Sequence, residues 1–252
     1  MSSAERAARA ARLGDYFELQ LRFAEHVGAR NGLTLSDAVL RYTNFHRRFG
    51  LGDPDRALAP AWGGYAERLS ALPDLLARRA WTEEFFFAAP EDTLPPEQYF
   101  FGCFGCEAPD ARGIVRIHFT RADRDGLSPL HRSKIGRRQA ELARLVAFIV
   151  ERFAGAQSIR GISWLYNIDA YRRLFPPLYG ASAQPAERVR LNGTSSWGQF
   201  LHHDEAIKPE LRDRFLANFS VIEPAAPWRA FPLPALTAQA PLAVFTDFYR
   251  AR

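Results

Sequence analysis

The sequence predicts a mixed α/β or α+β fold in which a helical layer precedes a mixed sheet. Helix-period apolar stripes run through roughly the first 90 residues, whereas two strand-like segments with a long amphipathic helix between them lie in Gly113–Gly180. The chain has 252 residues, of which 47% are hydrophobic, and this is enough for one large core. We therefore expect a single domain over residues 1–252, with a helical layer at 1–90 and a mixed α/β core with a C-terminal extension at 97–252.

Apolar stripes and bounding residues predict N-terminal helices at 4–28, 34–50, 61–72 and 75–87. Asn31-Gly32 and Gly50 end the first two helices, because these residue types tolerate positive φ. His46 lies on the stripe of the second helix, which predicts a histidine at the core boundary with a satisfied hydrogen bond. Pro90 and the Pro95-Pro96 pair predict a break in the chain. One interpretation of this break is a domain boundary; the interpretation that we adopt is that the helices before it pack their stripes on the sheet, because those stripes need a partner.

The central part of the chain predicts two parallel strands joined by a helix. Residues 99–106 and 113–120 are expected to form a hairpin, and residues 159–167 form the second long strand. A helix at about 133–153 should cross between the strands at 113–120 and 159–167, which should lie parallel in one sheet. Further along the chain, a short helix is expected at 169–174, a strand at 188–192, a helix at 208–219 and an apolar element at 242–249.

The overall composition argues against several classes of protein. The net charge is +5, but the cations are scattered among acidic residues, which disfavours a nucleic-acid-binding face. The chain lacks both an apolar run long enough to span a bilayer and the apolar core of a secretory signal. Its 2 cysteines are too few for a disulfide framework. These observations predict a cytoplasmic protein without a membrane partner, and they leave the oligomeric state open.

Two short motifs resemble metal or redox sites but are interpreted as structural. Cys103 and Cys106 form one CxxC pair in a predicted strand, where positions i and i+3 point to opposite faces and the thiols cannot converge. His202-His203-Asp204 contains an H-x-D triplet, but no histidine follows it to act as a third ligand. We therefore expect structural cysteines, a polar loop or helix start at 202–204, and no metal.

A cluster of cations precedes the long central helix, at Arg132, Lys134, Arg137 and Arg138. One interpretation is an ordinary solvated helix start, with Glu141 partly neutralising Arg137. The other is an anion site, because cations at a helix N-terminus oppose the macrodipole and an anionic ligand would offset that cost. Both interpretations stay open at the level of the sequence.

His118 lies in the middle of the predicted strand 113–120, on its polar face with Arg116 and Thr120. Polar residues on one face of such a strand indicate either a solvent-facing edge or the lining of a cleft. In a cleft, the intrinsic pKa of a histidine suits it to general-base catalysis near neutral pH.

The order of elements from Gly113 to Asn192 resembles the central part of the GNAT family of acyl-CoA-dependent acyltransferases. Two short motifs carry the resemblance: Arg132-Ser-Lys-Ile-Gly136, near the family's pyrophosphate-binding loop, and Asn167-Ile-Asp-Ala170, which fits its N-x-x-A segment. The loop has one extra residue between arginine and glycine, and Arg138 stands at the second glycine position. The family's general-acid tyrosine aligns nearest Phe175, so Tyr171 or Tyr179 would take its place.

The resemblance implies acyl transfer from an acyl-CoA, as co-substrate, to a small amine or hydroxyl acceptor. It implies cofactor binding by Arg132, Lys134, Gly136, Arg137, Arg138 and Asn167. His118 would then accept the proton of the nucleophile, and Tyr171 would protonate the departing thiolate. A different class of function is the alternative: a non-catalytic binding or assembly protein on a degenerate scaffold of this kind. A single-strand nucleic-acid binder is the third hypothesis, because Trp164, Tyr166 and Tyr171 lie near the basic loop. We use that name for the segment with the cations Arg132, Lys134, Arg137 and Arg138.

Overall fold

The computed structural model describes residues 3–55, 57–89, 98–123, 125–187 and 189–250. Contacts divide the chain into two compact units. We call residues 1–93 and 188–232 the helical unit, and residues 94–187 and 233–252 the sheet unit. The predicted break at Pro90 and Pro95-Pro96 lies outside the described residues. The organisation of residues 1–252 as one domain stays a prediction.

The helical unit contains mostly helices and one two-stranded antiparallel sheet. Its elements are α1 (Ser3–Arg12), α2 (Gly14–Arg30), α3 (Leu35–Tyr42), α4 (Phe45–Arg48), β1 (Gly52–Asp53), β2 (Ala57–Leu58), α5 (Ala61–Ala71), α6 (Leu75–Ala88), α10 (Thr194–Trp197) and α11 (Pro209–Ala217). The N-terminal segment is thus helical, as predicted. The helix predicted at 34–50 breaks at Thr43, whose backbone is extended with φ −117° and ψ 163°.

The core of the helical unit joins the N-terminal helices to residues 191–231. Phe23 of α2 contacts Trp197, Phe215 and Phe231, with ring centroids 5.5, 5.1 and 5.6 Å away. The stripes of the first helices are therefore buried against each other and against this later segment. Sequence periodicity shows that a stripe needs a partner but does not identify that partner.

His46 is wholly buried in this core, and neither ring nitrogen has a hydrogen-bond partner among the described residues. The prediction that His46 lies at the core boundary with a satisfied hydrogen bond is therefore wrong. Burial, reinforced by the charge of Arg47, lowers the pKa of His46 to about 4. The imidazole is neutral at physiological pH.

The sheet unit is built on six strands among its described residues, in the order β3-β4-β5-β6-β8-β7. They are β3 (Tyr99–Phe101), β4 (Phe104–Cys106), β5 (Ile114–Phe119), β6 (Ser158–Ser163), β7 (Gln184–Pro185) and β8 (Leu236–Pro241). Strands β5 and β6 are parallel and the other neighbours are antiparallel. The mixed sheet and the parallel pair confirm the predicted fold class and the predicted strand pairing.

Helices cover one face of this sheet. They are α7 (Ile135–Arg152), α8 (Asp169–Arg172), α9 (Pro177–Ala181) and α12 (Leu242–Arg250). The predicted stripe of α7 is buried, with Leu142, Leu145, Val146 and Ile149 in one cluster with Ile159 and Ala238 of the sheet. The side chains of Arg116, His118 and Arg160 therefore lie on the opposite face, because alternate strand residues point to opposite sides.

Three strand predictions need correction. The strand predicted at 99–106 is a tight hairpin, β3 and β4, which turns at Gly102 with φ +65°. The strand predicted at 159–167 ends at Ser163, whose hydroxyl accepts from the Leu165 amide and starts a 3₁₀ helix. Residues 189–192 form no strand: Leu191 is buried in the helical unit, where its carbonyl accepts from the Trp197 indole at 2.9 Å.

Candidate functional site

The ladder between β5 and β6 ends halfway along both strands. Three residue pairs form it, Ile114 with Ser158, Val115 with Ile159, and Arg116 with Arg160. Strand β5 then continues to Phe119 beside β4, and β6 continues to Ser163 beside β8. The two central strands therefore separate at their carboxyl ends, where ligands commonly bind in open α/β sheets. We call this opening the strand gap.

His118 lies on the part of β5 that borders the strand gap. Its Nε2 is 2.7 Å from Glu107 Oε1, and 26% of its side chain is exposed. Strand β5 lies between β4 and β6, so His118 is not on an edge strand of the sheet, although the ladder with β6 ends before this residue and the cleft interpretation stays a prediction. The residue instead forms a half-buried histidine–carboxylate pair on the face of the sheet opposite the helices. Sequence reasoning did not find Glu107, which lies in the loop before β5.

The basic loop folds around a carboxylate of the chain itself. Asp123 Oδ2 accepts from Lys134 Nζ at 2.9 Å and from Arg138 Nη2 at 2.8 Å, and Asp123 Oδ1 is 3.1 Å from Arg137 Nη2. Burial by itself would raise the pKa of Asp123, but the hydrogen bonds from Lys134 and Arg138 outweigh it and hold this pKa below its ordinary value. A carboxylate of the chain itself therefore offsets the charge of these cations in the structure.

Two further carboxylates complete what we call the ionic cluster: Asp123, Asp125, Lys134, Arg137, Arg138 and Glu141. Asp125 Oδ1 accepts from Lys134 Nζ at 2.7 Å. Glu141 lies 2.9 Å from Arg138 Nη1 and 3.3 Å from Arg137 Nε, as expected for the predicted pair with Arg137. It also accepts from the Cys103 amide at 3.0 Å. Three cations therefore face three carboxylates, and the charges of the cluster balance.

The remaining predicted ligand-binding residues near the basic loop are exposed or structural. Arg132 and Gly136 are exposed, and a Cβ added at Gly136 would meet no atom within 4 Å. The first turn of α7 is therefore open beside these two residues. Asn167 Nδ2 donates to the carbonyls of Trp164 and Pro234, which fixes the chain after β6.

Tyr171 is buried in an aromatic cluster on the helix-covered face of the sheet. It is 2% exposed and packs against Phe104, Phe119, Tyr166 and Phe175. Burial raises the pKa of Tyr171 well above its ordinary value.

Two more tyrosines of this cluster lie directly below the strand gap. The Tyr166 and Tyr179 hydroxyls are 2.5 Å apart. A Cβ added at Gly161 would lie 1.9 Å from the first and 2.6 Å from the second. Gly161 is the first residue of β6 beyond the ladder with β5. The hydroxyl pair therefore occupies the space that a larger residue would take at the edge of the gap.

The two motifs interpreted as structural lie in ordinary surroundings. Cys103 and Cys106 are free and buried, and burial raises the pKa of Cys106 to about 12, so its thiol stays protonated. His202, His203 and Asp204 are exposed in a turn closed by the bridge between Leu201 and Ile207. In the part of the chain that the structure describes, no group of three or more His, Cys, Asp or Glu side chains could hold a metal ion. Among the same residues, no helix combines the length and apolar character needed to cross a membrane.

Compared with models of known protein families, with curated proteins and with solved structures, the chain gives no significant match. The candidate site is therefore defined by its own geometry: the strand gap, the His118–Glu107 pair beside it, the tyrosine hydroxyls below it, and the open first turn of α7 after it.

Proposed function

We propose that the sheet unit binds an acyl-CoA at the strand gap and transfers its acyl group to a small amine or hydroxyl acceptor. One observation carries the proposal: the ladder between β5 and β6 stops after Arg116 and Arg160 although both strands continue. Backbone groups on the facing edges of the separated segments are then free to pair with an extended ligand, as strand edges do with peptides. The amide-containing arm of CoA is such a ligand, and the resemblance to the GNAT family assigns that arm to the strand before the loop.

The His118–Glu107 pair supplies a base for the reaction. As the nucleophilic nitrogen or oxygen bonds to the thioester carbonyl carbon, its proton passes to His118, directly or through one water. The carbon–sulfur bond then breaks, and the thiolate takes a proton. Glu107 orients the imidazole and stabilises the imidazolium that forms, in the way that a carboxylate supports a catalytic histidine.

The thiolate receives its proton from the buried hydroxyl group below the gap. The resemblance offers Tyr171 or Tyr179 for this role, and of the tyrosines in this cluster Tyr166 and Tyr179 lie next to the edge of the gap at Gly161. Tyr171 interacts with Tyr166 and therefore acts through it. Burial raises the pKa of Tyr166 and Tyr179, so both hydroxyls are protonated at neutral pH and can donate to the thiolate.

The pyrophosphate end is bound by Arg132 and by the amides of the first turn of α7 beside Gly136. Lys134 and Arg138 are assigned to holding the loop rather than to the ligand, because both are buried against Asp123. This division revises the roles that the resemblance gives to the four loop cations.

The balanced charge of the ionic cluster favours a second candidate, a non-catalytic binding or assembly protein. A site for a pyrophosphate ordinarily has cations without carboxylate partners. Here three carboxylates form ion pairs with three of the four loop cations and neutralise their charge. In this second proposal the strand gap binds an extended ligand and catalyses no reaction.

One experiment separates the two candidates. Acetyl-CoA binding is measured by calorimetry, and thiol release is followed with a broad panel of amines and alcohols, for the wild type and for His118→Ala. We expect His118→Ala to bind acetyl-CoA as the wild type does and to lose about 10²–10⁴ in turnover. The matched control is His202→Ala, an exposed histidine of the helical unit.

A wild type that binds acetyl-CoA and transfers to no acceptor would support the non-catalytic candidate. A wild type that does not bind acetyl-CoA would overturn the acyltransferase proposal.

A further inference from the structure

Two arginines stand side by side at the mouth of the strand gap. Arg116 of β5 and Arg160 of β6 are register partners, and theirs is the last pair before the strands separate. Partners in a parallel ladder point to the same face of a sheet, here the face opposite α7, which also carries His118. Like charges placed directly opposite each other destabilise a sheet. The sequence places this unfavourable pair beside the candidate base.

Neither guanidinium is satisfied by a close carboxylate. Arg116 Nη1 is 3.7 Å from Glu107 Oε2, which is beyond hydrogen-bond distance, and Glu107 Oε1 is engaged by His118. Arg116 is 55% exposed. Arg160 forms no ion pair with any residue that the structure describes. Its charge adds to the backbone hydrogen bond from Ile114 in holding the pKa of Asp110 below its ordinary value. Apart from the long ion pair of Arg116 with Glu107, no hydrogen bond or ion pair with another described residue uses the terminal nitrogens of these two side chains.

Arg160 is also held in place. Its Nε donates to Gln239 Oε1 at 2.8 Å, and Gln239 Nε2 donates to Ser158 Oγ at 3.0 Å. These two hydrogen bonds orient the guanidinium of Arg160 through Nε and do not use its two terminal nitrogens. A fork fixed in this way is suited to bidentate recognition of a carboxylate at a low entropy cost.

We propose that Arg116 and Arg160 together bind a carboxylate of the acceptor, so that the acceptor is an amino-acid-like compound with its amine or hydroxyl close to its carboxylate. The inference rests on the proposed acyl transfer for its biological meaning, because the carboxylate would bring the nucleophile to His118. The carboxylate site itself is inferred from Arg116 and Arg160 alone and does not require that reaction.

Equilibrium binding without any CoA tests this inference. The probes are N-acetylglycine, N-acetylphenylalanine and N-acetylglutamate, which resemble acyl-transfer products, and the carboxamide of each, which lacks the α-carboxylate. Calorimetry compares the wild type with Arg116→Gln, Arg160→Gln and the control Arg144→Gln, an exposed arginine of α7. A second variant, Arg160→Lys, keeps the charge and removes the fork.

We expect at least one acid to bind at least about tenfold more tightly than its amide, and each glutamine variant to lose at least about tenfold in affinity for it. Arg144→Gln should match the wild type, and Arg160→Lys should recover only part of the loss. Equal binding of acids and amides, no binding of any acid, or an equal loss in Arg144→Gln would overturn the carboxylate site. Binding of the acid together with an absence of acyl transfer would leave this site standing and remove the proposed reaction alone.

Discussion

Asp123 and Arg138 form a buried ion pair, with Oδ2 and Nη2 2.8 Å apart and both side chains 1% exposed. Arg138 comes from the first turns of α7, and Asp123 comes from the loop that follows β5. The pair therefore fixes the loop on the helix start. Because a buried charge without its partner is costly, each residue depends on the other for its place in the fold.

Removing this carboxylate should destabilise the sheet unit. We expect Asp123→Ala to lower the free energy of unfolding by about 1.5–3 kcal/mol, since the buried Lys134 and Arg138 would each lose a charge-assisted hydrogen bond and keep only Asp125 and Glu141 as counter-ions. Urea unfolding followed by circular dichroism measures the change. The control is Asp125→Ala, whose carboxylate is 46% exposed and contacts Lys134 only at the rim, and it should leave the midpoint almost unchanged. An equal effect of the two substitutions would contradict the central role of Asp123.

His46 should make the helical unit sensitive to mild acid. Its pKa is lowered to about 4 in the folded chain, first by burial and then by Arg47. The unfolded state therefore binds more protons between about pH 6.5 and 4, and stability falls as the pH is lowered through that range. We expect a loss of a few kcal/mol, which His46→Phe should abolish.

Tryptophan fluorescence reports mainly on this unit, because it contains Trp62, Trp81, Trp197 and Trp228, whereas the fifth tryptophan, Trp164, lies in the sheet unit. Denaturant midpoints would be compared at pH 7 and 4.5 for the wild type, His46→Phe and the exposed control His202→Phe. A pH dependence that survives in His46→Phe would assign the effect to other groups.

Gly161 should tolerate no side chain while Tyr166 keeps its hydroxyl. The added Cβ of Gly161→Ala would lie 1.9 Å from that oxygen, so a tyrosine or the strand must shift. Overpacking of this kind costs about 1–3 kcal/mol. Thermal unfolding should show partial recovery in the double variant Gly161→Ala/Tyr166→Phe. The alanine variant of Gly63, which has open space around it, serves as the control. A double variant no more stable than Gly161→Ala would mean that the hydroxyl is not the obstacle.

Glu107 should matter for turnover and not for cofactor affinity. In the proposed reaction, Glu107→Gln keeps a hydrogen bond to His118 but loses the charge that stabilises the imidazolium. A charge-assisted hydrogen bond contributes about 1.5–3 kcal/mol, so we expect a loss of roughly 10- to 100-fold in kcat. Steady-state assays and acetyl-CoA titration give the two quantities separately. Parallel losses in affinity and turnover would point to a structural role for this residue.

Arg132 should carry the side-chain contribution to phosphate binding. We expect Arg132→Ala to weaken acetyl-CoA binding about tenfold and to leave thermal stability unchanged, because Arg132 is exposed. Arg112→Ala, on the far side of β5 in sequence and 71% exposed, is a control of similar exposure. An unchanged affinity in Arg132→Ala would leave the amides of α7 as the sole anion ligands of the proposal.

Periodicity predicted the parts of this fold that depend on neighbours along the chain. The alternation in β5, the stripe of α7 and the parallel pairing of β5 with β6 all follow from local patterns. The same patterns did not indicate that the helices of residues 3–88 would be completed by Trp197 and Phe231. Partners separated by such distances in sequence are selected by packing, which no local repeat records.

The residues of the candidate site can be named from the sequence, but their partners in the structure cannot. From sequence alone, the cations before α7 are compatible with a solvated helix start near Glu141 and with a site for an anionic ligand, and neither interpretation identifies Asp123. Asp123 and Asp125 stand 11 and 9 positions before Lys134, where a loop conformation decides whether they reach it. Glu107 stands 11 positions before His118 in the same way. One signal could have identified Asp123 and Asp125: both are loop carboxylates close in sequence to a predicted helix start that is rich in cations.

The two segments of the helical unit also set the order in which its core can form during synthesis. The ring of Phe23 has one aromatic neighbour close in sequence, Tyr42, whereas Trp197, Phe215 and Phe231 follow much later in the chain. At the usual pace of translation, roughly 10–40 s separate the appearance of Phe23 from that of Phe231. During that interval the nascent helices expose an aromatic surface to the ribosome exit and to chaperones, while the sheet unit's central strands are already being made. Closure of this core is therefore a late event in the life of each newly made chain.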